Sequence, residues 1–254
     1  MQILLTNDDG IHSEGLQLLA SQLREHGYDV WIAAPDTERS AFSHAISLRH
    51  SVDFRQVGKQ SFSCSGTPAD CVFYGLKGAV PFTPDVIISG INRGFNMGTD
   101  IIYSGTVAAA REAVLHGIPA VAVSAEGFDP PYPFSEAARF CADHLDQFLN
   151  LWDPEFLINI NVPHASTGRW EVGYPEHRDY GDAIEPVQLS DDIISYRVSV
   201  DPKHAHHFIP NQDSDMELLS RGIISVTPVG VHPVMIEAAY KRFTDLASDE
   251  KKHR

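Results

Sequence analysis

The chain predicts an α/β fold on a mostly parallel sheet flanked by helices, and three observations carry that expectation. Strand-like and helix-like patterns alternate through the first two thirds of its 254 residues. The strand patterns are short continuous apolar runs, as in strands buried on both faces. Each is followed by a helical stretch, which gives right-handed βαβ units.

Residues 3–5 (Ile, Leu, Leu) form the first strand. Leu16, Leu19 and Leu23 fall on one face of a helix that Gly27 ends. Residues 30–34 are a second strand, stopped by Pro35. Residues 45–65 place Ile46, Leu48, Val52, Phe54 and Phe62 among polar neighbours, as in an antiparallel excursion. Thr67 and Pro68 then open a helix as N-cap and first helical residue. Strands follow at 86–89, 120–124 and 157–162, with helices at 107–116, stopped by Gly117, and at 134–151.

After Pro163 the character changes. Residues 164–220 are polar and rich in Asp and His, with one clear strand at 193–200. Another strand is expected at 222–229 and a helix at 233–247. The expected organisation is a core over 1–163 and a C-terminal extension over 164–254. The extension is too long for an idle loop. Its isolated strands lack evident partners, and unpaired edges need cover. Packing on a neighbouring subunit supplies that cover, so a homo-oligomer is expected.

Charge and composition exclude several classes. Lys and Arg number 19 against 34 Asp and Glu, a formal net charge of −15. That argues against binding a nucleic-acid duplex, which needs clustered basic residues. A small phosphorylated ligand stays allowed, because a cation inverts the local field. No run is apolar enough to span a membrane, and no signal peptide is visible. Cys64, Cys71 and Cys141 show no metal-type spacing and fit buried or free thiols in a reducing cytoplasm.

Asp8 and Asp9 are the most informative residues. They stand together where the first strand ends. Adjacent carboxylates there are costly unless a cation neutralises them. Ligands of open α/β sheets bind beyond the carboxyl ends of the strands. Position predicts a site, and residue type predicts a hard cation with oxygen ligands. A solvated Asn-Asp-Asp-Gly turn is the other reading.

Ser89-Gly-Ile-Asn-Arg-Gly-Phe-Asn-Met-Gly98 follows a strand on the same sheet edge. Its glycines allow close backbone approach, and Asn92 and Asn96 offer amide oxygens and donors. A glycine-rich turn accounts for it equally. Ser104-Gly-Thr106 leads into an Ala-rich helix whose first N–H groups suit a phosphate. A plain N-cap by Ser104 is the alternative. Ser40 and Arg39 lie in a loop that reads alone as ordinary and polar. Asp70 serves the start of its helix. His204, His206 and His207 invite a transition metal, but no flanking ligand pattern supports zinc.

Taken together, Asn7-Asp-Asp-Gly-Ile, Ala34-Pro with Ser40, Gly66-Thr-Pro-Ala-Asp-Cys, Ser89-Gly-Ile-Asn with Gly94, Asn96 and Gly98, and Tyr103-Ser-Gly-Thr-Val resemble the SurE family of metal-dependent nucleoside monophosphate phosphatases. Asn159-Ile-Asn-Val-Pro and Ser225-Val-Thr-Pro extend the resemblance. It implies a Rossmann-like fold, and one divalent ion per subunit, Mg²⁺ or Mn²⁺. It implies hydrolysis of nucleoside 5′-monophosphates, of 3′-monophosphates in some members, and of short polyphosphate. Dimers or tetramers that exchange C-terminal elements are implied as well. Residue by residue, the metal ligands are Asp8, Asp9, Ser40 and Asn92, and Asp8, Asp9 and Asn92 carry catalysis. Asn96, Ser104, Gly105 and Thr106 hold the phosphate. Two departures stand out: Ala41 where the family usually has Gly, and the segment Gly230-Val-His-Pro. A non-catalytic nucleotide sensor is the competing class. An aspartyl-phosphate route through Asp8 or Asp9 is the competing chemistry. His44 and His116 are the available guesses for the acid that protonates the leaving group.

Overall fold

The structure is a computed structural model that describes residues 1–127, 129–177, 182–189, 194–200 and 210–252. A nine-stranded sheet forms its centre. β1 (Gln2–Thr6) pairs in parallel with β2 (Asp29–Pro35) on one side and β5 (Val86–Arg93) on the other. β6 (Ala120–Ala125) and β7 (Phe156–Val162) continue the parallel run beyond β5. Beyond β2 lies an antiparallel hairpin, β3 (Phe54–Gly58) and β4 (Ser61–Cys64), as residues 45–65 predict.

The continuous apolar runs have a simple cause. Ile3 and Leu5 face one core with Leu16, Leu19 and Leu23 of α1 (Glu14–Glu25) and Leu145 of α4 (Phe134–Leu149). Leu4 faces a second core with Val107, Ala110 and Ala113 of α3 (Gly105–Leu115). Both sheet faces are covered, so alternation disappears from the sequence. α2 (Pro68–Tyr74) starts with a full capping box. Thr67 Oγ1 accepts from Asp70 N at 3.1 Å, and Asp70 Oδ2 accepts from Thr67 N at 2.9 Å.

The C-terminal region departs from expectation. The strand read at 222–229 is β11 (Ile224–Gly230), and it does not lack a partner. It pairs antiparallel with β7, Thr227 opposite Asn159, and parallel with β8 (Trp170–Val172). The extension therefore completes the core sheet. An antiparallel partner more than sixty residues away leaves no local mark in the sequence. β10 (Ile194–Val200) pairs with β9 (Asp182–Leu189) in a separate two-stranded hairpin. The last helix, α6 (Glu237–Lys252), starts four residues later than the 233–247 pattern suggests. α5 (Asp215–Ser220) precedes β11. His204, His206 and His207 lie outside the described residues.

Candidate active site

β1 ends at Thr6, and the chain turns at once. Asn7 shapes the turn by donating from Nδ2 to the Gly10 carbonyl at 3.0 Å and to Ser13 Oγ at 2.7 Å. Gly10 closes it with φ of +96°, where a side chain would be strained. The turn leaves Asp8 4 % exposed and Asp9 half-buried.

Three other loops converge on this turn. Arg39 N donates to the Asp8 carbonyl at 2.7 Å, which brings in the Ser40 loop. Arg93 N donates to Asp9 Oδ2 at 3.2 Å, which brings in the end of β5 beside Asn92. The start of α3 meets Asp8 directly. Thr106 Oγ1 donates to Asp8 Oδ1. A Cβ on Gly105 would stand 3.1 Å from both Asp8 Cβ and Asp8 Oδ2. Sequence reasoning treats the Asp8 turn and the Ser104–Thr106 turn as separate loops; in the fold they pack directly against each other. A side chain at Gly105 would therefore press on Asp8 itself.

Electrostatics make the turn unusual. Burial pushes the Asp8 carboxyl up to about 6, outweighing the Thr106 hydrogen bond, and the charge on Asp9 adds to the rise. Burial also raises Asp9, although the Arg93 N–H bond and guanidinium pull it down. Among the described residues no ion pair reaches either carboxylate. Oxygen atoms with this much buried negative charge and so few donors fit a divalent cation. Asn92 fits too: its Nδ2 donates to the Gly94 carbonyl at 2.8 Å, and among the described residues none donates to its amide oxygen. Ser40 sits on the exposed loop, its hydroxyl donating to Glu38 Oε1 at 2.8 Å. Ala41 next to it has φ of 60°, in the left-handed region that favours glycine. Among the described residues no group of three or more His, Cys, Asp and Glu is arranged to hold a metal. The set here is two carboxylates with neutral oxygens.

The phosphate candidates divide. Ser104 Oγ caps α3 by accepting from Val107 N at 3.0 Å, the plain N-cap role. The Thr106 hydroxyl is engaged by Asp8. The Gly105 N–H, first in the helix, has no partner within it. Asn96 differs from the rest. Its Nδ2 donates to Ser124 Oγ at 2.8 Å and its N to Asn161 Oδ1 at 2.8 Å, while its carbonyl accepts from Asn159 and Asn161. It ties the Gly-rich loop to β6 and β7. His44 and His116 both bond Glu112 on α3, at 2.8 and 3.0 Å.

Two supports had no role assigned from the sequence. Asn159 and Asn161 stand there as a motif of the resemblance, and the structure shows them seating Asn96. Asp215, fully buried, accepts from Gly98 N at 2.6 Å across 117 residues and from Met216 N at 2.9 Å. It anchors the Gly-rich loop from the C-terminal region, and only the structure reveals it.

The family model described as "Survival protein SurE" matches residues 3–181. The chain belongs to the SurE family. A relative from Anaeromyxobacter sp. (strain K), named 5′-nucleotidase SurE, is 39% identical over 242 residues, covering 93% of this chain and 94% of that protein. One of the same name from Thermosipho africanus is 37% identical over 245 residues, covering 91% and 92%. The crystal structure of the SurE protein from Aquifex aeolicus superposes with a TM-score of 0.84 at 29% identity, covering 97% of this chain and all of that one. The Rossmann-like expectation for the core and its helices agrees with that likeness.

Proposed function

We propose that this SurE-family chain is a divalent-metal-dependent phosphatase that hydrolyses nucleoside 5′-monophosphates to nucleoside and phosphate. Family membership and relatives named 5′-nucleotidase support the nucleotidase activity. The observation that carries the metal dependence is the buried Asp8 carboxylate beside Asp9, with no ion pair to neutralise it among the described residues. The reading extends to 3′-monophosphates and short polyphosphate as further substrates of the same site.

Asp8, Asp9 and Asn92, with Ser40 from the facing loop, are the residues that would hold one Mg²⁺ or Mn²⁺. When bound, the ion neutralises the carboxylates, polarises the phosphoryl group and activates water. The chain's own residues do the rest. Thr106 fixes the Asp8 carboxylate by its hydroxyl. Gly105 presents the first N–H of α3, and the positive end of the helix dipole, to the phosphoryl oxygens. Ser104 holds that helix end in shape. Asn96 keeps the Gly-rich loop seated on β7. No protein nucleophile is required.

A homodimer or homotetramer is part of the proposal. The β9–β10 hairpin exposes Ile184, Val187, Ile194, Tyr196 and Val198. The end of the chain exposes Val234, Met235, Ile236, Tyr240 and Phe243. Apolar surface on this scale marks a protein interface. Three buried free cysteines fit a cytoplasmic setting. Among the described residues no helix is long and apolar enough to cross a membrane.

The test is phosphate release from a nucleoside monophosphate with Mn²⁺. Release that stops with chelator and returns with metal supports the proposal. Release that ignores chelator removes the metal from it. Nucleotide binding without turnover would favour the sensor.

A further inference from the structure

We propose that a recess beside Asp9, walled by Arg93, Tyr132 and Phe134, holds the nucleoside half of the substrate with its base against Tyr132. The recess measures about 290 Å³ and is lined further by Ser13, Glu14 and Glu38. That is at the lower end of the small-ligand range of roughly 300–1,000 Å³. The proposal deepens the nucleotidase reading and rests on it for where the phosphate lies.

Asp9 is the link. It lines the recess and stands beside Asp8 in the turn where metal and phosphate would meet. A ligand reaching from Asp8 past Asp9 enters this space. The walls are fixed to the same loops. Arg93 is held through its N–H on Asp9. Gly94 N donates to the Ala125 carbonyl at 2.8 Å. A Cβ on Gly127 would lie 2.7 Å from Gly94 N, so Gly127 packs directly on the Gly-rich loop.

The wall chemistry selects a flat, neutral group. The Arg93 guanidinium stands 5.9 Å from the Tyr132 ring centre. Phe134 is buried, and its ring centre lies 5.4 Å from that of Tyr132, tilted by 45°. Phe134 thus backs the tyrosine from the core side. Aromatic and guanidinium faces are the surfaces on which bases stack, with little regard to base identity. The remaining lining is acceptor-rich. Ser13, Glu14 and Glu38 suit ribose hydroxyls and exocyclic amino groups.

Charge sets the substrate class. With Asp9 given to the ion, Glu14 and Glu38 still outnumber Arg93, so the recess is net negative. A second phosphate in it would meet carboxylates. The recess therefore favours a monophosphate with a neutral leaving group over nucleoside di- and triphosphates.

The test uses full-length protein, AMP and glycerol 2-phosphate as substrates, and adenosine as a binding probe. The variants are Tyr132→Ala and Tyr132→Leu, the second keeping apolar bulk on Phe134 without the ring. Tyr132→Phe is the conservative control. We expect the ratio of kcat/KM for AMP to that for glycerol 2-phosphate to fall about tenfold in Tyr132→Ala and Tyr132→Leu. In Tyr132→Phe it should stay within about threefold of wild type. Saturation-transfer NMR should show adenosine base protons in contact with wild type, weakened in the two ring-less variants. An unchanged ratio with wild-type hydrolysis of AMP overturns the recess and leaves the nucleotidase reading intact. Ring-dependent adenosine binding without any hydrolysis supports the recess and overturns that reading. No adenosine binding and no hydrolysis overturns both.

Discussion

Asp8→Asn should stabilise the metal-free protein and destabilise it relative to wild type once metal is present. Asp8 is 4 % exposed, and its carboxyl is pushed from 3.8 up to about 6. A shift of about two pH units corresponds to about 3 kcal/mol between the two protonation states. The sign follows from linkage. A carboxyl raised in the folded state binds its proton more tightly there than in the unfolded chain. The stabilisation it brings is complete below 3.8 and is lost as pH rises through about 6. At pH near 7.5 metal-free wild type bears the charge in full. Asparagine removes it and still accepts from Thr106. Its new amide N–H needs an acceptor, which costs about 1 kcal/mol. The net gain should lie between about 1 and 3 kcal/mol.

The assay is urea unfolding at one protein concentration, with chelator and then with excess Mn²⁺, at several pH values. With chelator the variant should lead at neutral pH, and its lead should vanish towards pH 4. With Mn²⁺ wild type should gain by mass action and the variant should gain little. A variant less stable than wild type in chelator at neutral pH would refute the reasoning, as would a difference that ignores pH. Either result would mean that Asp8 has a protein partner that satisfies its charge.

Other outcomes follow from single contacts. Ala41→Gly should relieve the left-handed backbone at φ 60° and stabilise by up to about 1 kcal/mol in thermal or urea unfolding. Asp215→Ala should cost about 2 kcal/mol by leaving the Gly98 N–H buried without its acceptor, and should lower kcat by loosening the loop of Asn92 and Asn96. Deleting residues 182–200 should shift the sedimentation of the protein towards monomer while the core still unfolds cooperatively. Truncation after Pro163 should give insoluble protein, because β7 loses β11 along its whole edge.

Much of the core was legible because its signals are local. Each face of β1 meets its own apolar cluster, so residues 3–5 read as one run. The Leu16, Leu19 and Leu23 spacing marks one helix face, and Thr67 with Pro68 marks a helix start. What the sequence hid is long-range. Residues 182–187 of β9, Glu185 among them, are exposed or half-buried, so they offer no buried face to announce the strand. β11 finds β7 only in the folded chain. The bond from Gly98 to Asp215 looks, along the sequence, like an acidic residue in a polar stretch. Tyr132 follows two prolines and gives no stacking signal of its own.

The same difference in range governs the site. Sequence order separates Asp8 from Thr106 by 98 positions, and reading each loop alone assigns one to metal and the other to phosphate. Packing erases that division. Thr106 holds the carboxylate, and Gly105 leaves no room for a side chain against it. The helix end that favours an anion is therefore set against the Asp8 carboxylate. An added phosphate would compete with Asp8 for the same positive end, unless a cation first draws the carboxylates towards itself. In the proposed enzyme, metal and substrate should consequently bind with positive coupling, each raising the other's affinity by the same factor.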